Sequence, residues 1–389
     1  MIKLIKKDLF FAISILLALL STLFVLPDKE YLNYINFPVL ILLFCLMIVV
    51  AGFEKTGVFD ILKSKMSSIK SEKTLIFTLC MICFFISALV TNDVALITFV
   101  PFSLLILKGR KESSIIFCVV METISANLGS LLTPIGNPQN LYLYTTYSIS
   151  IGEFFKTTLP LGAICLVMIC FCFLFFKTSN INYQKEETNF TPDKKSLLIF
   201  SGLFVLCILS VLDIVSCYIT LTAVIICVFF IDKGLFSKAD YILLLTFVCF
   251  FVFSGNMARI PEVYSFISQI IHKNEIIATS AICQIISNVP AATMLSSFTE
   301  NGKALILGTN IGGLGTLIAS MASLISYRYI SREKEISKGK YIITFSIYNF
   351  AMLFILITVW KIKSASAAFV FLIFLSVISL ITRSAFGFY

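Results

Sequence analysis

Apolar residues along this chain follow neither the period of a half-buried helix nor the alternation of a strand. They run on for about 15–20 residues at a time and stop at short charged loops, the pattern of helices that are apolar all round and cross a bilayer. Such runs predict spans at 8–26, 36–53, 114–150, 157–176, 196–212, 217–231, 240–254, 304–327, 341–360 and 364–382, with 114–150 and 304–327 interrupted by polar and helix-breaking residues. The expected fold class is an all-α integral membrane protein with about ten transmembrane helices plus two re-entrant hairpins. The amino-terminal run follows a basic stretch, as in a secretory signal. It lacks a small-x-small cleavage site and extends to Leu26, so it is expected to be retained as the first span.

The hairpins come from two segments that do not fit simple spans. In 276–299, Ile276–Ile286 leads into the sequence SNVP and Ala291–Thr299 leads out. At the rise of an α-helix each half reaches only roughly 13–17 Å into a core about 30 Å thick, so the segment is expected to dip in from outside and return. Segment 74–107 runs from Thr74 to Val90, turns at TND and returns from Val94 to Leu107, with Lys70, Lys73, Lys108, Arg110 and Lys111 at its ends. Its halves are longer, roughly 21–26 Å, which suits a hairpin entering from inside and also permits two short spans.

Internal similarity ties these pieces together. TNDVA at 91–95 matches SNVPA at 287–291, and ANLGSLLT at 126–133 matches TNIGGLGT at 309–316. Each half of the chain thus holds a hairpin tip, a polar turn and an interrupted helix in the same order. With hairpins entering from opposite sides, residues 1–212 and 213–389 are expected to be inverted-topology repeats.

Composition closes off other classes. The chain of 389 residues is 59% hydrophobic and 13% charged, with a mean hydropathy of +1.00, which excludes a water-soluble domain. Most of the 30 Lys and Arg fall in loops that lie inside if the amino terminus does, so both termini are expected in the cytoplasm of a bacterial cell, with the chain in its cytoplasmic membrane. The net charge of +9 then points to anionic lipid headgroups, not nucleic acid. Twelve cysteines lie almost all in apolar runs, and the Cys80/Cys83 pair reads as packing, while His272, the one histidine, reads as a solvated loop residue.

Polar groups at membrane depth survive where they face protein, water, ions or substrate. Pro134 and Pro138 break helical hydrogen bonding, Gly129 and Gly136 allow close approach, and Asn127, Thr133, Asn137, Gln139 and Asn140 offer amide and oxygen groups. In the second half Gly308, Gly312, Gly313 and Gly315 loosen the helix while Thr309, Asn310 and Thr316 supply polar groups. Of these, Asn127, Gly129, Thr133, Pro134, Gly136, Asn137, Thr309, Asn310, Gly312, Gly313 and Thr316, together with the tips Thr91, Asn92, Asp93, Ser287 and Asn288, form the candidate binding site, with Asn92, Asp93, Asn127, Asn288 and Asn310 as candidate Na⁺ ligands. Helix amino termini near one point favour an anion, and carboxyl termini a cation. Packing is the competing role for the glycines, and helix capping for Asp93, which is otherwise an ion- or proton-coupling group. Glu122, a little over one turn before the first break, reads as a second coupling group or as a residue of the internal vestibule. Arg259 reads as a snorkelling or loop residue, and Pro290 as the start of a hairpin helix.

At these residues the sequence resembles the ion transporter superfamily, which includes divalent anion:sodium symporters, citrate transporters, arsenite permeases and a class of Na⁺/H⁺ antiporters. The resemblance covers nearly the whole chain, and TNDVALITFVPF with GSLLTPIGNPQNLYLY is similar above all to the citrate-transporter-like and arsenite-permease branch. It implies an elevator-type secondary transporter, often a homodimer, without a cofactor and with Na⁺ or H⁺ as coupling ion. In the dicarboxylate branch the hairpin tips bind carboxylates and Na⁺, and Thr91 with Asn92 and Ser287 with Asn288 match those tips. Asp93 and Val289 stand where that branch carries threonines. A carboxylate at the tip repels a di- or tricarboxylate and suits a cation, a proton, or a neutral or singly charged substrate such as an inorganic oxyanion.

Other classes fare worse. The chain has no GxxxxGK[ST] loop for a nucleotide-driven pump and no convincing nucleophile-base or carboxylate pair for an intramembrane enzyme, so it is expected not to be an enzyme. A passive anion channel and a Na⁺/H⁺ antiporter remain beside the expected coupled transporter of small anions, carboxylate or inorganic oxyanion.

Overall fold

The computed structural model describes residues 9–57, 69, 71–174, 176 and 193–361, and among these every regular element is a helix. The first third comprises α1 (Leu9–Ser21), α2 (Glu30–Tyr34), α3 (Phe37–Lys55), α4 (Glu72–Val90), α5 (Asn92–Ile106) and α6 (Glu112–Gly129). Next come α7 (Pro138–Thr146), α8 (Ile151–Leu174), α9 (Lys194–Val211), α10 (Cys217–Ile231) and α11 (Tyr241–Ala258). The rest are α12 (Pro261–Lys273), α13 (Glu275–Ile286), α14 (Asn288–Leu295), α15 (Gly302–Gly312), α16 (Met321–Ile330) and α17 (Lys338–Lys361). Among the described residues seven helical stretches are long and apolar enough to cross a membrane. The expected span 364–382 and most of the segment between the expected spans 157–176 and 196–212 lie outside the described residues.

Local chemistry explains most starts and stops. Asn36, Ser71, Asn137, Asp193, Asp240, Asn274 and Asn301 precede helices and accept a hydrogen bond from a backbone N–H of the first turn. Pro290 sits in the first turn of α14, where the amide it lacks would have no helical partner. One element departs from expectation. Residues 261–273, with His272 among them, form helix α12 and not a loop. Glu262, Ser265 and Gln269 alternate there with exposed Tyr264, Phe266 and Ile270, so no unbroken apolar run marks the helix.

Two hydrophobic cores organise the bundle. One joins α4, α5, α6, α8, α16 and α17, with Phe117 stacked on Phe176 at 4.0 Å and edge-on to Phe173. The other joins α3, α7, α9, α10, α11, α14 and the start of α15. Helix α6 lies deepest: 94% of its membrane-length window is buried, against 28–50% for the other six candidate spans. Lipid gives no hydrophobic drive for helix association, so such burial depends on close packing. Gly129 provides it in the first half, since a Cβ there would overlap the Phe84 carbonyl and come within 2.6 Å of the Ser87 hydroxyl. Gly312 provides it in the second, with Ser280 Cα and Cys283 Cβ each 2.8 Å from where a Cβ would stand.

The two helix pairs expected as hairpins turn through single residues. Thr91 (φ 96°, ψ 149°) joins α4 to α5, and Ser287 (φ 74°, ψ 157°) joins α13 to α14. Both conformations belong to a region that is essentially reserved for glycine and is strained for a residue with a Cβ. The halves differ in length. Helix α4, at 19 residues, is long enough to cross a bilayer, whereas α13 has 12 residues and α14 has 8.

Two predictions follow from this packing. Gly129→Ala and Gly312→Ala should each lower stability by about 1–3 kcal/mol through overpacking, read as the apparent melting temperature in detergent, whereas Gly152→Ala and Gly202→Ala, which open on free space, should not. Thr91→Gly should be more stable than Thr91→Ala by roughly 1 kcal/mol, because both lose the side chain and only glycine relieves the strain; the same order should hold at Ser287.

Candidate functional site

The first tip is held by backbone. Asn92 donates its N–H to the Gly136 carbonyl at 3.1 Å, and its Oδ1 accepts the N–H of Asp93 at 3.0 Å. Thr133 donates its hydroxyl to the carbonyl of Ala88, three residues before the tip. The second tip is held alike. Thr316 donates its hydroxyl to the carbonyl of Gln284, three residues before Ser287, at 3.1 Å, and Ser287 donates to the Ala319 carbonyl at 3.4 Å. The residues that carry the internal similarity therefore make corresponding contacts.

The interrupted helices meet through their asparagines. Asn127 Oδ1 accepts from Asn92 Nδ2 at 3.1 Å and from Ser320 Oγ at 2.9 Å. Asn310 Oδ1 accepts from Asn137 Nδ2 at 3.0 Å, while Asn310 Nδ2 donates to Asn140 Oδ1 at 2.6 Å and to the Ile306 carbonyl at 2.7 Å. Asn137 and Ser320 each lie ten residues after the asparagine of their own half, and each donates to the asparagine of the other half. Asn137 also donates to Ser130 Oγ at 3.0 Å and caps α7 by accepting from Asn140 N at 2.8 Å. Asn140 in turn ties down the Ser130 and Thr133 carbonyls, so the first break is closed by side-chain amides in place of helical bonds.

Each expected site residue now has a position. Asn92, Asn127, Asn137 and Asn310 form one buried network, and Thr91, Asp93, Ser287 and Asn288 flank it at the tips. Gly313 leaves room for the Asn288 amide, whose Nδ2 would be 3.0 Å from a Cβ there, and Gly136 lies so close to the Ser130 backbone that a Cβ would overlap it. Pro134 is buried within the first break, and Gly129 and Gly312 pack against the hairpins. Thr309 is turned to its own helix, donating to the Leu305 carbonyl at 2.7 Å. Thr133 and Thr316 likewise direct their hydroxyl protons to hairpin carbonyls, which makes them anchors of the tips. Glu122 is not joined to the network by any hydrogen bond; it lies on α6 among Ser103 and Cys83.

Two buried polar atoms here have no hydrogen-bond partner among the described residues: Asn127 Nδ2 of the first interrupted helix, a donor, and Asp93 Oδ1 of the first tip, an acceptor. Buried groups of this sort are paired in most structures, so each is an open valence of the site. A separate cavity of about 520 Å³ opens at helix ends, between Tyr147, Glu153, Glu275, Thr299, Glu300 and Lys303.

Two contributors were not visible in the motifs. Gln284 donates to the Ser280, Gly312 and Leu314 carbonyls at 2.9–3.0 Å and accepts from Thr316 N at 2.9 Å, which closes the second break. Its one signal was an amide within the apolar run 276–286. Ser320 was legible only by carrying the repeat past Thr316 to the position matching Asn137. Arg259, expected as a snorkelling or loop residue, follows the last turn of α11 and pairs with Asp28 at 2.8 Å and with the Tyr34 hydroxyl at 3.0 Å.

Comparison with known proteins points to membrane transporters. The family model described as citrate transporter matches residues 2–301. The chain is 32% identical over 359 residues to an uncharacterized transporter of Methanocaldococcus jannaschii, covering 91% of this chain and 97% of that protein. It is 29% identical over 332 residues to the inner membrane protein YbiR of Escherichia coli, covering 83% and 88%. A silicon efflux transporter of Oryza sativa is 33% identical over 150 residues, 37% of this chain and 30% of that one. The chain is a multi-pass membrane transporter and belongs to the citrate transporter family.

Proposed function

We propose that this protein is a secondary active transporter of small oxyanions across a bacterial cytoplasmic membrane, coupled to Na⁺ or H⁺. Its two inverted repeats, 1–212 and 213–389, work as a homodimeric elevator with both termini in the cytoplasm, and its hairpins are re-entrant. Asn92, Asp93, Asn127, Asn137, Asn288 and Asn310 bind substrate and ion. The observation that carries this reading is Asn127 Nδ2, buried and without a hydrogen-bond partner among the described residues, on the asparagine that receives Asn92 of the first tip: a donor left open at that point fits an oxygen acceptor on an anion. Asp93 narrows the class. Its carboxylate at the first tip favours a singly charged or hydroxylated substrate, which can donate to Oδ1, over a tricarboxylate. The likeness over 37% of the chain to a silicon efflux transporter adds support for a small inorganic substrate.

A second reading rests on the same Asp93 Oδ1. A buried carboxylate oxygen without a partner among the described residues is what an exchanged cation would occupy, as in a Na⁺/H⁺ antiporter.

Flux in proteoliposomes separates the two. With citrate, dicarboxylates, phosphate, sulfate and arsenite offered in turn, coupled uptake should require one particular anion, and proton movement driven by Na⁺ alone would instead establish the antiporter. Asp93→Asn should abolish coupled flux while the protein keeps its elution profile and melting temperature. Asn127→Ala and Asn310→Ala should each weaken apparent substrate or ion affinity about tenfold, or ~1.4 kcal/mol. Unchanged affinity in both would return the asparagine network to a packing role.

A further inference from the structure

Glu122 is the most completely enclosed charged side chain of the described residues. It is 0% exposed on the helix that is itself the most deeply buried. Its Oε1 accepts from the Ser103 hydroxyl of α5 at 2.6 Å and lies 4.0 Å from the Cys83 thiol of α4, and its Oε2 is buried without a hydrogen-bond partner among the described residues. The other ionisable groups near it are Cys80 and Cys83 of α4, Cys118 one turn earlier on α6, and Tyr341 of α17, with Cys172 of α8 beyond Cys80. Helix α16 adds the hydroxyl of Ser326, bonded to Thr123. Every one of these groups is neutral or would be anionic, and none is a cation.

An ionised carboxylate in such a place would carry a desolvation cost that nothing nearby offsets, and a buried acid in that situation takes up a proton instead. Sodium is a poor substitute, because it needs several oxygen ligands, and here one hydroxyl and two thiols face the carboxyl. We propose that Glu122 is protonated in the folded protein, with the proton on Oε2 and Oε1 as the carbonyl oxygen that Ser103 binds, and that it is the group that loads and releases the coupling proton. Helices α4 and α5, which enclose it, are the two arms of the hairpin whose tip holds Asn92 and Asp93. A shift of that hairpin on ligand binding changes the enclosure of Glu122, and the proton passes to or from water on the side then open. The coupling role rests on the transporter reading above; the protonated state does not.

The two are tested apart. Infrared difference spectra of the purified protein in lipid nanodiscs, wild type minus Glu122→Gln at neutral pH, should contain the C=O stretch of one protonated carboxylic acid, sensitive to deuterium oxide. Ser103→Ala, which leaves the carboxyl in place, should keep that band and raise its frequency by removing the hydrogen bond to Oε1. The absence of any such band, or a band indifferent to Ser103→Ala, would overturn the proposal whether or not the glutamine variant folds. In proteoliposomes given the anion panel, Glu122→Gln should lose anion-linked proton movement and keep anion counterflow. Proton movement per anion equal to wild type would overturn the coupling role. Should the wild type move none of the anions, the oxyanion reading fails while the infrared result stands.

Discussion

A peptide group without a hydrogen-bond partner cannot be left in hydrocarbon, and the centre of this protein is built around that constraint. Two helices stop in mid-course and two hairpins turn through single residues, which together release many carbonyl and amide groups at depth. The chain meets them with side chains that imitate backbone. Thr133 and Thr316 each reach a hairpin carbonyl, Asn140 collects two carbonyls of the first break, and Gln284 collects two at the second. The amide-rich stretch that looks out of place in an apolar sequence is thus the solvent of its own backbone.

Once that need is met, what remains unmet acquires meaning. Among the described residues Asn127 Nδ2 and Asp93 Oδ1 stay unpaired next to the strained turn at Thr91. Strain at Thr91 and open valences beside it are the marks of backbone held ready for something other than itself. The glycines serve the same end from the other side. Gly129 and Gly312 let the hairpins lie directly on the broken helices, so that tip and break share one small volume.

Much of this was legible in the sequence because it is written at the level of residue type. Unbroken apolar runs marked the helices, and the paired motifs at 91–95 and 287–291 and at 126–133 and 309–316 marked the tips and breaks. Helix α12 escaped because an amphipathic helix dilutes its apolar residues below the level of an unbroken run. Gln284 and Ser320 escaped because their roles depend on geometry: one amide contacts three backbone groups that are distant in sequence, and one hydroxyl crosses between halves. Glu122 was visible as a charge in a helix, but its enclosure by Ser103, Cys83 and Cys118 belongs to the tertiary structure.

The crossed bonds between the halves also govern the order of assembly. Asn137 finds its acceptor 173 residues further along the chain, and Ser320 reaches back 193 residues to Asn127. A helical membrane protein is otherwise dominated by local contacts that form as each segment is inserted. Here the first break stays incompletely paired until the second has been made, and contacts of such long sequence separation form late. The centre of the protein is therefore among the last parts of the fold to close, and a chain halted before Ser320 would hold inserted helices without a finished middle.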